Sequence, residues 1–101
     1  VIHLPRDPAR GKSNYQTFVI RLLSGGRARR DEVLGVLKEA GIGAGPGIMA
    51  AHLEPAWADV THVPLPATEA WSACSIALPL YHHMTDAEHA TVVQELKRAL
   101  V

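Results

Sequence analysis

The sequence has one cysteine, two tryptophans, two tyrosines and one phenylalanine, with no excess of either charge. Cys74 closes no intrachain disulfide and gives no argument for an oxidising compartment, so a cytoplasmic location is expected. Ten Lys and Arg balance ten Asp and Glu. No broad field gathers phosphate backbones or anionic lipid, and neither nucleic acid nor a membrane is an expected partner. No segment approaches the roughly 18 consecutive apolar residues of a membrane span. Val1 to Arg10 carry Pro5, Asp7 and Pro8 where a secretory leader needs an apolar run.

What is present suits one globular domain. Of 101 residues, 48% are hydrophobic and 20% charged, a balance that excludes a disordered tail. A chain of this size buries roughly 60 to 70% of its unfolded surface, enough for one core without disulfide or metal. A two-domain enzyme does not fit in it.

Residues 1–14 hold Pro5, Pro8, Gly11, Ser13 and Asn14 among charges without periodicity, and read as a loop or linker feeding a single domain over 15–101. A linker implies something upstream; a first residue of Val suits an excised initiator Met or a cut from a longer chain. From Tyr15 to Leu23, Phe18, Ile20 and Leu22 alternate with Thr17, Val19 and Arg21, which predicts a strand. Val33, Val36, Leu37 and Ala40 then recur at helical spacing over 29–40, with Asp31 and Glu32 expected near the positive end of that helix and Gly41 as its left-handed terminator.

Beyond Gly41 the pattern weakens. Ile42 to Ile48 suggests a short strand broken by Gly43, Gly45, Pro46 and Gly47. Residues 49–65 look irregular, with one helical turn near Ala50 to Leu53. Pro66 suits the first turn of a short helix to Cys74 that buries Trp71 and Cys74. Ile76, Leu78 and Leu80 alternate as a strand that Pro79 demotes toward a sheet edge. Thr85-Asp86-Ala87-Glu88 is a capping box, followed by the stripe Val92, Val93, Leu96 and Leu100 of a terminal helix. The predicted class is α+β: an antiparallel or mixed sheet of about three strands packed against two longer helices and a short one.

Several motifs invite chemistry and have plainer explanations. Gly41 to Gly47 follows a helix and has Pro46 where a dinucleotide fingerprint needs glycine, so it reads as a helix terminator rather than a phosphate cradle. His82, His83 and His89 lack the spacing and the partner cysteine of a zinc site, and no metal is expected. Cys74 in Trp-Ser-Ala-Cys-Ser-Ile reads as a core residue, not a nucleophile. Trp57 and Trp71 lack a surrounding basic patch and read as core or interface aromatics. His52 is harder to dismiss, because its low-charge irregular stretch lets it project into a cleft with Glu54.

Three ordered blocks carry a resemblance over nearly the whole chain. Asn14-Tyr-Gln-Thr-Phe-Val-Ile-Arg-Leu, Gly47-Ile-Met-Ala-Ala-His-Leu-Glu-Pro-Ala-Trp and Leu78-Pro-Leu-Tyr-His-His-Met-Thr-Asp-Ala-Glu resemble the carboxyl-terminal portion of the DegT/DnrJ/EryC1/StrS aminotransferases. The resemblance implies the C-terminal small domain of a pyridoxal phosphate (PLP) enzyme of the aspartate-aminotransferase fold, fold type I. Such enzymes transfer an amino group, usually from glutamate, to a keto sugar on a nucleotide, and are usually homodimers with sites at the subunit interface. The small domain closes over the substrate. By that resemblance Asn14, Tyr15, Gln16, Met49 and His52 are candidate substrate-binding residues.

The Schiff-base lysine and the carboxylate that PLP needs would then lie in a large domain earlier in sequence. Lys12, Lys38 and Lys97 read as solvated surface charges, so no catalytic residue and no cofactor bound by this chain alone are expected. The expected partners are a large PLP-binding domain, in cis or in trans, and a second copy of the chain. Relatives with the Gly-Ile-Met-Ala block carry arginines where this chain has Gly45 and Pro46, which weakens any grip on an anionic substrate. A stand-alone binding or assembly module derived from the same domain is the competing reading. An independent small enzyme would need a local acid, base or nucleophile constellation, and the sequence offers none.

Overall fold

The computed structural model describes all residues, 1–101. Four strands form one antiparallel sheet: β1 (Ile2–His3), β2 (Phe18–Leu22), β3 (Gly45–Pro46) and β4 (Ser75–Leu78), in the order β1-β2-β4-β3. Three α-helices accompany it: α1 (Gly26–Glu39), α2 (Pro66–Cys74) and α3 (Asp86–Leu100). Two 3₁₀ turns, Ala51–Leu53 and Pro55–Trp57, lie between β3 and α2.

The register of β2 decides which face is the core. Phe18 pairs with Leu78, Ile20 with Ile76 and Ile2 with Leu22, so these apolar residues share one face. Ile20, Leu22 and Ile76 from the sheet meet Val33 and Leu37 of α1 and Val92, Leu96 and Ala99 of α3 in one buried cluster. Each fully buried Ile, Leu or Val contributes about 1.5 to 3 kcal/mol. The opposite face carries His3, Val19, Arg21, Ser75 and Ala77. Trp71 of α2 lies against Arg21 and His3.

Local signals in the sequence explain most element ends. In the Thr85 capping box the Glu88 amide donates to Thr85 Oγ1 at 3.2 Å and the Thr85 amide to Glu88 Oε2 at 2.8 Å. Lys97 and Arg98 occupy the last turn of α3, where positive charge complements the helix dipole. Gly41 sits at φ +75°, a left-handed stop after α1 that a Cβ would disfavour.

Five expectations need correction. The sheet has four strands rather than about three, because residues 1–14 are not all loop: Ile2–His3 pairs with Leu22 and Arg21. Two residues are too few to show a period. Helix α1 starts at Gly26, about one turn earlier than the apolar spacing implies, so Asp31 and Glu32 lie beyond its first turn. β4 is not an edge strand: β2 and β3 flank it, and its ladder ends at Leu78, before Pro79. The edge proline is Pro46 in β3, where its missing N–H costs nothing. In α2 the buried residue is Ser72; Trp71 and Cys74 are half-buried.

Candidate functional site

The five candidate residues fall into two groups. Asn14, Tyr15 and Gln16 form an exposed turn just before β2, held by short-range bonds. The Ser13 amide donates to Asp7 Oδ1 at 2.9 Å, the Tyr15 amide to Ser13 Oγ at 3.1 Å and the Gln16 amide to Asn14 Oδ1 at 3.3 Å. Tyr15 adopts φ 47°, the one non-glycine residue with positive φ. A left-handed tyrosine is uncommon, and the surrounding side-chain bonds hold it there. Its hydroxyl donates to Asp7 Oδ1 at 3.3 Å and its ring stacks on Phe18. The Asp7 carboxylate first, then desolvation and this hydrogen bond, raise the phenol above its ordinary pKa.

Met49 and His52 form the second group, on the segment leaving β3. Gly47 brings that segment onto the sheet: its amide donates to the Ser75 carbonyl at 3.0 Å. The Ile48 amide donates to Ser75 Oγ at 3.0 Å. A Cβ on Gly47 would stand 2.6 Å from Val19 Cγ1 and 2.9 Å from Ser75 Cβ, so the approach requires glycine. Ala50 is buried next, while Met49 is 75% exposed. The hydrogen bonds of the two groups stay separate; none joins Asn14, Tyr15 or Gln16 to Met49 or His52.

His52 turns inward, its side chain 11% exposed. Its partner is Glu69 of α2, with Nε2 to Oε1 at 3.1 Å; Glu54, its neighbour in sequence, makes no bond to it. The same Glu69 oxygen accepts from the Leu65 amide at 3.2 Å, so one carboxylate ties both ends of the 52–65 segment. The His52 bond first, then the Leu65 amide, hold the Glu69 carboxyl below its usual range against opposing desolvation. The ring of His62 lies edge-on to His52 with centroids 4.6 Å apart. Ala51, His52, Trp57, Val60 and His62 line a concavity of about 160 Å³.

Sequence reasoning missed Glu69, His62 and Arg21. Glu69 had one available signal: a carboxylate four residues after Leu65, close enough to reach back to the helix start. Arg21 had none, because its surroundings come from α2 and β1. Its guanidinium carbon stands 5.3 Å from the centre of the Trp71 ring, and its Nε is buried without a hydrogen-bond partner. A cation over an indole face is favourable, but a buried unpaired donor is costly.

The residues present do not fit pyridoxal phosphate. Lys12, Lys38 and Lys97 are exposed and stand on the leading loop, α1 and α3. None lies in a cavity with a carboxylate and a phosphate-binding shell. Among surface features the largest is an apolar groove of about 520 Å³ between the sheet and α3, lined by residues that include Ile2, Leu4, Phe18, Leu80, Val93 and Leu100. No helix is long and apolar enough to cross a membrane.

Comparison with known proteins identifies where this architecture occurs. The chain superposes on Spr1654 of Streptococcus pneumoniae, described as a sugar aminotransferase, in its PMP-form (TM-score 0.87, 20% identity, 97% of this chain and 25% of that one). It is similar to the aminotransferase TlmJ of Streptoalloteichus hindustanus (TM-score 0.84, 24% identity, 98% and 26%). A DegT DnrJ EryC1 StrS aminotransferase of Brucella abortus gives a TM-score of 0.75 at 21% identity, with 97% and 26% covered. These likenesses establish a shared fold, and the chain spans about a quarter of the length of each solved structure. No curated protein matches it. The family model of the DegT/DnrJ/EryC1/StrS aminotransferases matches residues 1–97; the chain therefore belongs to the DegT/DnrJ/EryC1/StrS aminotransferase family.

Proposed function

We propose that the chain acts as the C-terminal small domain of a PLP-dependent nucleotide-sugar aminotransferase, closing the substrate cleft and contributing dimer contacts without catalysing transfer by itself. One observation carries this: nearly all of the chain superposes on aminotransferases, one of them described as a sugar aminotransferase, yet it covers only about a quarter of them. A cofactor site belongs, in this reading, to a large domain supplied in cis or in trans. PLP would supply electron withdrawal from the amino-donor carbon when bound there.

This chain's own residues serve the substrate. Asn14 and Gln16 present amides at an exposed turn, Tyr15 is fixed beside them, and Met49 and His52 stand on the segment pinned by Gly47. The apolar groove, lined by Leu4, Leu80 and Val93 among others, suits the large domain or a second protomer. A cytoplasmic location accompanies the reading.

The test is cofactor capture. With stoichiometric PLP the chain alone is expected to give no aldimine absorbance, and transamination from glutamate to a nucleotide keto sugar is expected only with a large domain added in trans. An aldimine that borohydride fixes to Lys12, Lys38 or Lys97 would overturn the assignment. A module with another role would fold and bind a partner yet never restore transfer.

A further inference from the structure

Both ends of residues 52–65 are held by one oxygen atom. Between Ala51 and Pro64 every backbone hydrogen bond closes a single turn, with the amides of Leu53, Glu54, Trp57, Ala58 and Val60 each donating three residues back. The His62 ring bonds the carbonyl of its neighbour Val63. None of these bonds reaches the sheet or an α-helix. Two side-chain bonds do, and both end on Glu69 Oε1 of α2: one from His52 Nε2 at 3.1 Å, the other from the Leu65 amide at 3.2 Å. A carboxylate only accepts, so both ends of the segment donate to it.

Side-chain packing follows the same pattern. From Leu53 to Leu65 every residue is exposed, Trp57, Val60 and Val63 among them. The concavity of about 160 Å³ is lined by Ala51, His52, Trp57, Val60 and His62 alone, so these side chains pack on one another rather than on the sheet. Firm structure resumes on either side: Ala50 is buried, Gly47 and Ile48 bond Ser75, and Pro66 starts α2. A compact surface loop with adjacent ends and its own packing is an Ω-loop. Segments with little buried apolar contact open at a fraction of the free energy that unfolds a whole domain.

We propose that residues 52–65 are a strap that opens as one body, hinged at Ala50 and Leu65, with Glu69 as its latch. Both latch bonds end on the same oxygen, so they are lost together when the carboxylate turns away. His52 then leaves its inward position, and Trp57 and Val60 move with it. One carboxylate thereby decides whether His52 is held or released. This motion lies inside the chain and is distinct from closure of the whole domain over a substrate.

Residue-resolved amide hydrogen exchange on the chain near neutral pH tests the strap. Leu53, Glu54, Trp57, Ala58 and Val60 should share one opening free energy, below that of the Val33 and Leu37 amides inside α1. Glu69→Ala should speed exchange at all five by a common factor of about tenfold or more, the loss of bonds to a charged acceptor, and should change Val33 and Leu37 far less. Glu69→Gln keeps an acceptor oxygen and should restore most of the protection. Chymotryptic cleavage after Trp57 should accelerate in parallel with exchange. Five unrelated rates, acceleration confined to Leu53 and Glu54, no response to Glu69→Ala, or equal acceleration at Val33 and Leu37 would overturn the latch.

Discussion

The guanidinium of Arg30, 3% exposed on α1, donates from Nη1 to the carbonyl of Ser72 in the last turn of α2, 42 positions away and 3.2 Å distant. That carbonyl is one of the orphan acceptors at a helix end, and the charged donor satisfies it inside the fold. Asp31 beside it accepts from Arg30 Nε. Arg30→Ala removes a charge-assisted bond and the packing of the stem, and should cost about 2 kcal/mol of stability. Denaturant unfolding of both proteins checks this; Arg30→Lys should recover only part, since an ammonium lacks the fork that serves Ser72 and Asp31 together.

Gly47 and Gly41 should respond differently to alanine. At Gly47 the added methyl meets Val19 Cγ1 at 2.6 Å and the Ser75 side chain at 2.9 Å, so β3 must lift from β4 or the sheet must shift. Overpacking of this kind costs about 1 to 3 kcal/mol. At Gly41 the space is open and only the left-handed backbone resists, a penalty of about 1 kcal/mol. Gly47→Ala should also disturb His52, which hangs from the same segment, whereas Gly41→Ala should not. Histidine NMR beside unfolding midpoints distinguishes the two.

Acid should loosen the end of the chain through Glu88. The Thr85 amide and then the Thr85 hydroxyl hold its carboxyl below the usual range. A carboxyl whose folded pKa is lowered contributes stability that is complete above its unfolded pKa, about 4.3, and is lost as pH falls through the folded value. Unfolding midpoints should therefore decline below about pH 4.3. Glu88→Gln keeps the capping geometry but not the titration, and should flatten that decline. Thr85→Ala should cost about 1 kcal/mol at neutral pH.

The groove beside α3 should make the isolated chain associate. Leu4 and Leu80 are each 48% exposed at its lining. Sedimentation equilibrium should show mass rising with concentration, and Leu80→Glu should shift the distribution toward monomer by placing a charge in that surface. A wild-type chain that stays monomeric throughout would remove the groove as an interface between copies of the chain.

Most of the fold was legible because its signals are local. The alternation of Phe18, Ile20 and Leu22, the Gly41 stop, Pro66 at the start of α2 and the Thr85 box each act within a few residues, and each lies where its pattern implies. The family was legible for a different reason, since three ordered blocks together are far more specific than any single motif, and the family model matches residues 1–97. The two-residue strand β1 escaped notice because pairing with β2, not periodicity, makes it a strand.

The candidate site shows where sequence stops. Residue types and spacing singled out His52, but offered Glu54 as its companion because that carboxylate is near in the chain. The structure gives it Glu69 as hydrogen-bond partner and the edge of the His62 ring as neighbour. By itself the sequence determined elements, faces and family, since period, caps and turns are properties of short stretches. Strand order, the interior place of β4, the burial of Arg30 and the partners of His52 were decided only in the tertiary structure, because hydrogen bonds and packing join groups by distance in space rather than position in the chain.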